Sequence, residues 1–359
     1  MSTKAVGRRS GPKADRDVTR LVVRAPNWLG DAVLALPAMA AVRRHFPTAH
    51  LTVAAPPGVA GVLREDTDLN PNLVLELADT RGAIAALEGG GYELGVLFPN
   101  SFRSAWQFWR AGIPARWGYG TAGRGMLLTR RSGRVDPPPG PHHADYYRAL
   151  VRGLGIACDD TAPRVAVSGP SRERAQALLA QYGVSPDTAL VGLAPGAAYG
   201  QAKQWPTDRV ASLIARLVRE RNATCLIVGA SHDRSAGREI ESWLRANAPE
   251  TAARAIDLVG RTSLGALAGV VARCRVFVSN DSGAMHVAAA LGRPVVALFG
   301  PTDEAATRPI GSHDVITYPV FCRPCLLRDC PIDHRCMKRI TVDVVLAAVA
   351  RHLAAVPVA

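Results

Sequence analysis

The 359 residues carry a formal charge of +13, with 48% hydrophobic and 20% charged side chains, an ordinary globular balance at a length that suits two domains. No apolar run reaches the roughly 20 residues a bilayer span needs, since Arg351 and His352 break the nearest one at 344–359, and the basic opening MSTKAVGRRSGPKADRDVTR lacks the apolar stretch of a secretory signal. Seven cysteines in a chain without an export signal argue against a disulfide framework, and the arginines are scattered rather than blocked, which weakens a nucleic-acid reading of the charge while leaving phosphorylated substrates and anionic lipid as partners.

Residues 1–19 are expected to form a disordered basic tail ahead of a cytoplasmic protein. Residues 21–25 then make a short apolar strand. The stretch RAPNWLGDAVLALPAM turns from it into helical spacing over 31–46, which Pro47 ends, and 51–55 is the next strand. Strand, turn, helix and strand in about 35 residues is a βαβ unit, hence a parallel pair. Asn27 lies in that turn. Asp31 closes it, as an N-terminal helical carboxylate or as a catalytic base, and residue type alone favours capping. Asp66-Thr67-Asp68 is a D-x-D pair able to hold a magnesium ion on a diphosphate, but it follows no clear strand end and reads as surface loop. Another strand at 94–98 leads into Asn100-Ser101-Phe102-Arg103 and a Trp-rich helix; DPPPGP at 136–141 reads as a rigid loop, and a helix over 144–154 closes the half.

The irregular stretch 158–170 marks the domain boundary, followed by a helix over 172–182. The second half restarts with a strand at 190–193 and the loop APGAAYGQAKQWP. Lys203 in that loop is either a solvated lysine or a point charge for a diphosphate. Helices over 208–221, 234–246 and 264–272 alternate with strands at 225–228 and 255–258. Strands at 276–278 and 295–299 then bracket Asn280-Asp281-Ser282-Gly283 and a short Ala-rich helix carrying His286. A helix start of this kind suits a phosphate; the plainer reading makes Asp281 or Ser282 an N-cap and His286 a packed core residue. Neither corner matches G-x-G-x-x-G, so dinucleotide binding of the redox type is not supported. Two βα-alternating halves predict an α/β protein of twin doubly wound domains facing a cleft. Cys158, Cys225 and Cys274 are isolated and read as small buried residues. Cys322, Cys325, Cys330 and Cys336, with His334 among them, could wrap one tetrahedral zinc or an iron, or could be plain reduced thiols.

Taken together, RAPNWLGDAVLALPAM, LFPNSFRSA, GIPARWGY, LAPGAAYGQAKQWP, SNDSGAMHVAAALGRPVVALFGPTD and CRPCLLRDCPIDHRCM resemble the ADP-heptose–lipopolysaccharide heptosyltransferases, glycosyltransferase family 9, most closely the heptosyltransferase II branch. The resemblance implies a GT-B fold of two Rossmann-like domains. Residues 20–170 would bind the acceptor and 171–340 the nucleotide sugar, with a C-terminal helix in 341–359 packing back on the first domain. It implies inverting transfer of L-glycero-D-manno-heptose from ADP-heptose to the first heptose of the lipopolysaccharide inner core, with no cofactor required for catalysis. By the same resemblance Asp31 matches the general base and Lys203 the lysine that meets the ADP phosphates. Asp281, Ser282, Gly283 and His286 match the donor corner, Thr262 a position near the adenine, and Asn27, Asn100, Ser101 and Arg103 the acceptor side. The positive charge would suit an acceptor bearing carboxylates and phosphates at the anionic inner face of the inner membrane, with peripheral contact there and no nucleic-acid partner. Two departures stand out: Ala-Ala-Tyr-Gly before Lys203 replaces hydroxyl or acidic residues, and Arg103 replaces the commoner lysine.

Overall fold

A computed structural model describes residues 18–65, 67–133 and 142–355. Most of the expected basic tail, Asp66 of the D-x-D pair and the DPPPGP loop lie outside the described residues. The first half holds β1 (Arg20–Arg24), α1 (Leu29–Leu34), α2 (Leu36–His45), β2 (His50–Ala55), α3 (Pro57–Leu63), β3 (Leu73–Glu76), α4 (Thr80–Gly89), β4 (Leu94–Leu97), α5 (Phe102–Arg110), β5 (Ala115–Tyr119), β6 (Arg130–Ser132) and α6 (His143–Gly153). The second holds α7 (Gly169–Ala180), β7 (Leu190–Ala194), α8 (Thr207–Arg221), β8 (Thr224–Ile227), α9 (Arg234–Asn247), β9 (Ala255–Asp257), α10 (Leu264–Ala272), β10 (Val276–Asn280), α11 (Gly283–Ala290), β11 (Val295–Phe299), α12 (Glu304–Thr307), β12 (His313–Thr317), α13 (Arg335–Lys338) and α14 (Val342–Ala355).

Each half is a six-stranded sheet, ordered β3-β2-β1-β4-β5-β6 and β12-β11-β10-β7-β8-β9. Counted within its own half, each sheet reads 3-2-1-4-5-6, the doubly wound order. All pairings among these strands are parallel; Val23, for instance, stands beside Val53 on one side and Val96 on the other. Strands with helices on both faces must be apolar on both faces, and Leu21, Val22 and Val23 are fully buried in succession. This is the α/β GT-B architecture expected from the alternation. In each sheet the chain reverses its winding between the first and fourth strands, at β1/β4 and at β7/β10, and that is where a crevice opens beyond the strand ends.

Two expectations are corrected. The helix expected over 31–46 is two helices meeting at Ala35, with Pro37 in the first turn of α2; proline has no N–H to give and its ring crowds the preceding turn. The last helix packs on the second sheet rather than back on the first half. Val345, Leu346, Ala348 and Val349 join the core that also holds Leu213, Leu217, Val276 and Leu298, which buries its apolar stripe within one domain.

The halves touch through small residues. A Cβ on Gly61 of α3 would lie 2.5 Å from the Cβ of Leu264 on α10. Next to that contact the buried Glu65 accepts hydrogen bonds from the Ser168 N–H (2.7 Å) and the Ser171 hydroxyl (2.6 Å) at the start of α7, a carboxylate at the positive end of a helix in the other half.

Candidate active site

Four loops reach the two switch points: β1–α1 and β4–α5 from the first sheet, and β7–α8 and β10–α11 from the second. They carry most of the residues singled out from the sequence.

In the β10–α11 corner, Asn280 ties the loops together. Its side-chain amide donates to the Pro195 carbonyl (2.6 Å), and its oxygen accepts from the Trp205 N–H (3.1 Å). Asp281 is not a helix cap. Its buried carboxylate takes the Lys203 ammonium at 2.6 Å, the Thr302 hydroxyl at 2.8 Å and the Thr307 hydroxyl at 3.3 Å. Lys203 is thus neither solvated nor loose. The Tyr199 ring lies under its ammonium at 4.6 Å, and the Tyr199 hydroxyl donates to the Leu326 carbonyl (2.6 Å), which gives the departing Ala-Ala-Tyr-Gly loop a job. Ser282 occupies the N-cap position of α11, but its hydroxyl pairs with that of Ser279 (3.1 Å) instead of the helix N–H groups. No side chain caps α11, so its first-turn N–H groups face the crevice with the positive end of the helix dipole.

His286, on the next turn of α11, joins the two halves. It is 5% exposed, and its Nδ1 has no hydrogen-bond partner. Burial pulls its pKa down to about 4, against the pull of Asp281 and Asp31 and with the push of His142 and His143. These four groups come from both domains. Gly30 of α1 abuts the imidazole; a Cβ there would stand 2.7 Å from its Cδ2. A Cβ on Gly283 would stand 2.8 Å from the Leu29 Cβ and 3.2 Å from the Gly30 nitrogen. Two glycines therefore let two helix starts meet.

On the first-domain side, Asp31 sits in the first turn of α1 without capping it. Its side chain, 26% exposed, reaches toward α6: His143 Nδ1 is 3.4 Å from Oδ1, and the buried Tyr147 phenol lies within the field of its carboxylate. Burial and then the Asp31 charge hold that phenol well above its ordinary pKa, so it stays protonated beside the carboxylate. Beside them His142 Nδ1 accepts from the Ala144 N–H (3.2 Å), which leaves the proton on Nε2 to donate to the Arg308 carbonyl (2.7 Å) in the other half. Asn27 is held by the buried Arg24, whose guanidinium donates to Asn27 Oδ1 at 2.6 Å and which burial brings down to a pKa of about 10. Asn100 donates to the Tyr146 hydroxyl and accepts from the fully buried Arg124 (3.4 Å).

Ser101 caps α5 by accepting from the Ser104 N–H (3.3 Å), and Arg103 beside it is exposed. Thr262 is placed apart from the rest. It follows β9, the edge strand two positions from β7, roughly 10 Å across the sheet. The sequence reading missed His142, His143, Tyr147, Thr302 and Thr307, of which Thr302 alone follows a strand end, in the turn after β11.

A metal at the cysteines finds no support in the geometry of the described residues. Cys322, Cys325, Cys330 and Cys336 are all free thiols. Among the described residues no three His, Cys, Asp or Glu side chains are gathered so as to hold a metal ion. The segment is hydrogen-bonded to the Lys203 loop. The Ala202 N–H donates to the Arg328 carbonyl (2.9 Å) and His334 Nε2 to the Ala202 carbonyl (2.7 Å). A Cβ on Gly200 would lie 2.4 Å from the Arg328 oxygen, so glycine is required where the two strips touch. The Cys-rich strip is the brace that holds the Lys203 loop against β10–α11.

The sequence profile of glycosyltransferase family 9 (heptosyltransferase) matches residues 81–335. Over 309 residues the chain is 32% identical to lipopolysaccharide heptosyltransferase 2 of Salmonella typhimurium (strain LT2), a match that covers 82% of this chain and 86% of that one. Its fold is similar to the solved structure of E. coli ADP-heptose LPS heptosyltransferase II, with a TM-score of 0.78, 28% identity, and 94% and 99% of the two chains covered. It is also similar to a family 9 glycosyl transferase from Veillonella parvula DSM 2008, with a TM-score of 0.78, 21% identity, and 95% and 99% covered.

Proposed function

The chain belongs to glycosyltransferase family 9, and we propose that it transfers L-glycero-D-manno-heptose from ADP-heptose to the first heptose of a lipopolysaccharide inner core, with inversion at the anomeric carbon. The observation that carries this reading is His286, wedged between the two switch points with Gly30 against its ring and both Asp31 and Asp281 within its field.

On this reading residues 171–340 hold the donor and residues 20–170 the acceptor. The diphosphate lies at the start of α11, where Gly283 permits close approach and uncapped N–H groups point outward. Lys203 meets it from the side. Asp281 need not touch a phosphate, which would repel it; its partners make it the anchor that aims Lys203. Buried His286 Nδ1 is left to the heptose or diphosphate, and Thr262 borders the adenine end. Asn27, Asn100, Ser101 and Arg103 line the approach of the acceptor, whose lipid end rests at the anionic inner face of the inner membrane.

The reaction is one displacement. The acceptor hydroxyl oxygen forms its bond to the anomeric carbon from the face opposite the leaving group while the bond to the diphosphate oxygen breaks. ADP leaves with the electron pair, stabilised by Lys203 and the α11 N–H groups. The hydroxyl proton passes to the Asp31 carboxylate, which His143 faces and the neutral Tyr147 phenol adjoins. One carboxylate suffices for one inversion, and the positive charge that the leaving group needs is supplied by Lys203 and the helix end.

The test is incubation of the purified protein with inner-core acceptor and either ADP-heptose or UDP-sugars, read by mass spectrometry. A product one heptose heavier from ADP-heptose alone supports the reading. Transfer only from a UDP-sugar removes it.

A further inference from the structure

We propose that the outward face of α5, with the turn that follows it in space, is the surface on which the protein sits on an anionic lipid bilayer. The inference rests on the functional reading above, in which the acceptor is a glycolipid, and it adds where the lipid surface lies relative to the active-site crevice.

The residues of α5 divide cleanly at the 3.6-residue period. Ser104, Ala105, Gln107 and Phe108 face inward and are buried. Phe102, Trp106 and Trp109 recur four and three residues apart, so they form one stripe on the opposite side. Phe102 and Trp109 are each 47% exposed, and Trp106 is half-buried. Arg103 and Arg110, seven apart, flank that stripe and are exposed. The 3-10 turn Arg124–Leu127, which packs on α5 through Leu127, presents Met126 at 81% exposure.

The charge along this stretch of chain has one sign. From residue 94 to 135 the chain carries seven arginines and no Asp or Glu. Arg116 and Arg124 turn inward onto backbone carbonyls, whereas Arg103, Arg110, Arg130 and Arg131 are exposed. Aromatic rings and a methionine with guanidinium groups alongside match a headgroup layer that is apolar beneath and anionic at its surface. A water-facing helix has no need of two large exposed aromatics on one stripe. The placement also fits the chemistry. The helix starts at Ser101, directly after Asn100 at the β4 switch point, so a bilayer against α5 brings a lipid-linked sugar to the mouth of the crevice.

The experiment is flotation of the full chain with vesicles of phosphatidylcholine alone or mixed with phosphatidylglycerol, at low and high salt. The variants are Trp109→Ser with Arg110→Glu and, as a second pair outside any packed position, Met126→Ser with Arg110→Glu. Each charge near an anionic surface contributes about fivefold in partitioning, so reversing one and removing an apolar anchor is expected to cut vesicle binding by at least tenfold. Binding by the parent protein is expected only with phosphatidylglycerol and is expected to fall with salt. Transfer to a delipidated, soluble inner-core oligosaccharide stays at the parent rate in both variants, which also reports their folding. Parent-like vesicle binding by both pairs would overturn the proposal, as would equal binding of the parent to neutral vesicles. So would a shift from dimer to monomer in the variants without lipid, since the face would then be a self-association surface. Absence of heptose transfer by the parent would sink the functional reading and leave the flotation result legible by itself.

Discussion

His286 offers the sharpest physical prediction, because its neutrality follows from where it sits. The ring is enclosed between α11 and Gly30 of the other half, and burial lowers its pKa from 6.5 to about 4. An unfolded chain binds this proton at the ordinary value, so the folded state is disfavoured as pH falls. The contribution is intact above about 6.5 and is lost progressively down to about 4. Between pH 7 and pH 5 the linkage amounts to about 2 kcal/mol, at about 1.4 kcal/mol per unit of pKa difference. Urea unfolding of the parent and of His286→Leu at both pH values isolates it. The parent is expected to lose about 2 kcal/mol more than the variant. Equal acid losses in the two proteins would refute the claim that a neutral imidazole is sealed at the junction of the domains.

Replacing Lys203 with Met should weaken ADP-heptose binding and slow transfer together. It should also cost up to roughly 3–5 kcal/mol of stability by stranding the Asp281 carboxylate, less whatever the Thr302 and Thr307 hydroxyls compensate. Adding Asp281→Asn should recover part of that stability and none of the turnover, as denaturation and kinetics on the two variants would record. Gly283→Ala should cost about 1–3 kcal/mol through overpacking against Leu29 and the Gly30 backbone and raise the KM for donor, which thermal unfolding and donor titration can measure. Tyr147→Phe keeps the ring and removes the hydroxyl beside Asp31, so kcat is expected to fall about tenfold while donor affinity, read by calorimetry, stays put.

The fold was legible because parallel strands covered on both faces leave short apolar runs that stand out, as at 21–25, 190–193 and 295–299. Of the edge strands only β9 was. β3 and β12 are only partly buried, and β6 begins with two arginines, so none of these three carries the apolar signature that a central strand must have. Pro37 could have split the first helix on the page, but prolines are tolerated in a first turn and the second turn's start was not otherwise marked. At the site, Asp31, Lys203 and Asp281 stood out because they lie in loops after strand ends. The neighbours of Asp31 did not, since His143 and Tyr147 reach it from a helix more than a hundred residues on, a closeness that only the packing of α6 against α1 creates. The bracing role of the Cys-rich segment was invisible in its spacing for the same reason, since it depends on hydrogen bonds from Tyr199, Ala202 and His334 that tie the segment to the Lys203 loop. Ser282 kept its expected position at the N-cap and lost its expected bond, because Ser279 on β10 competes for the hydroxyl.

The most direct measurement compares Asp31→Asn with the parent in two assays on one preparation, ADP-heptose binding by calorimetry and single-turnover transfer to inner-core acceptor. A base that takes the acceptor's proton contributes about a hundredfold to ten-thousandfold in rate, so transfer should fall by that much with donor affinity unchanged. Transfer at the parent rate by the amide variant would contradict the assignment of Asp31 and, with it, the reading of the two switch points as halves of one active site.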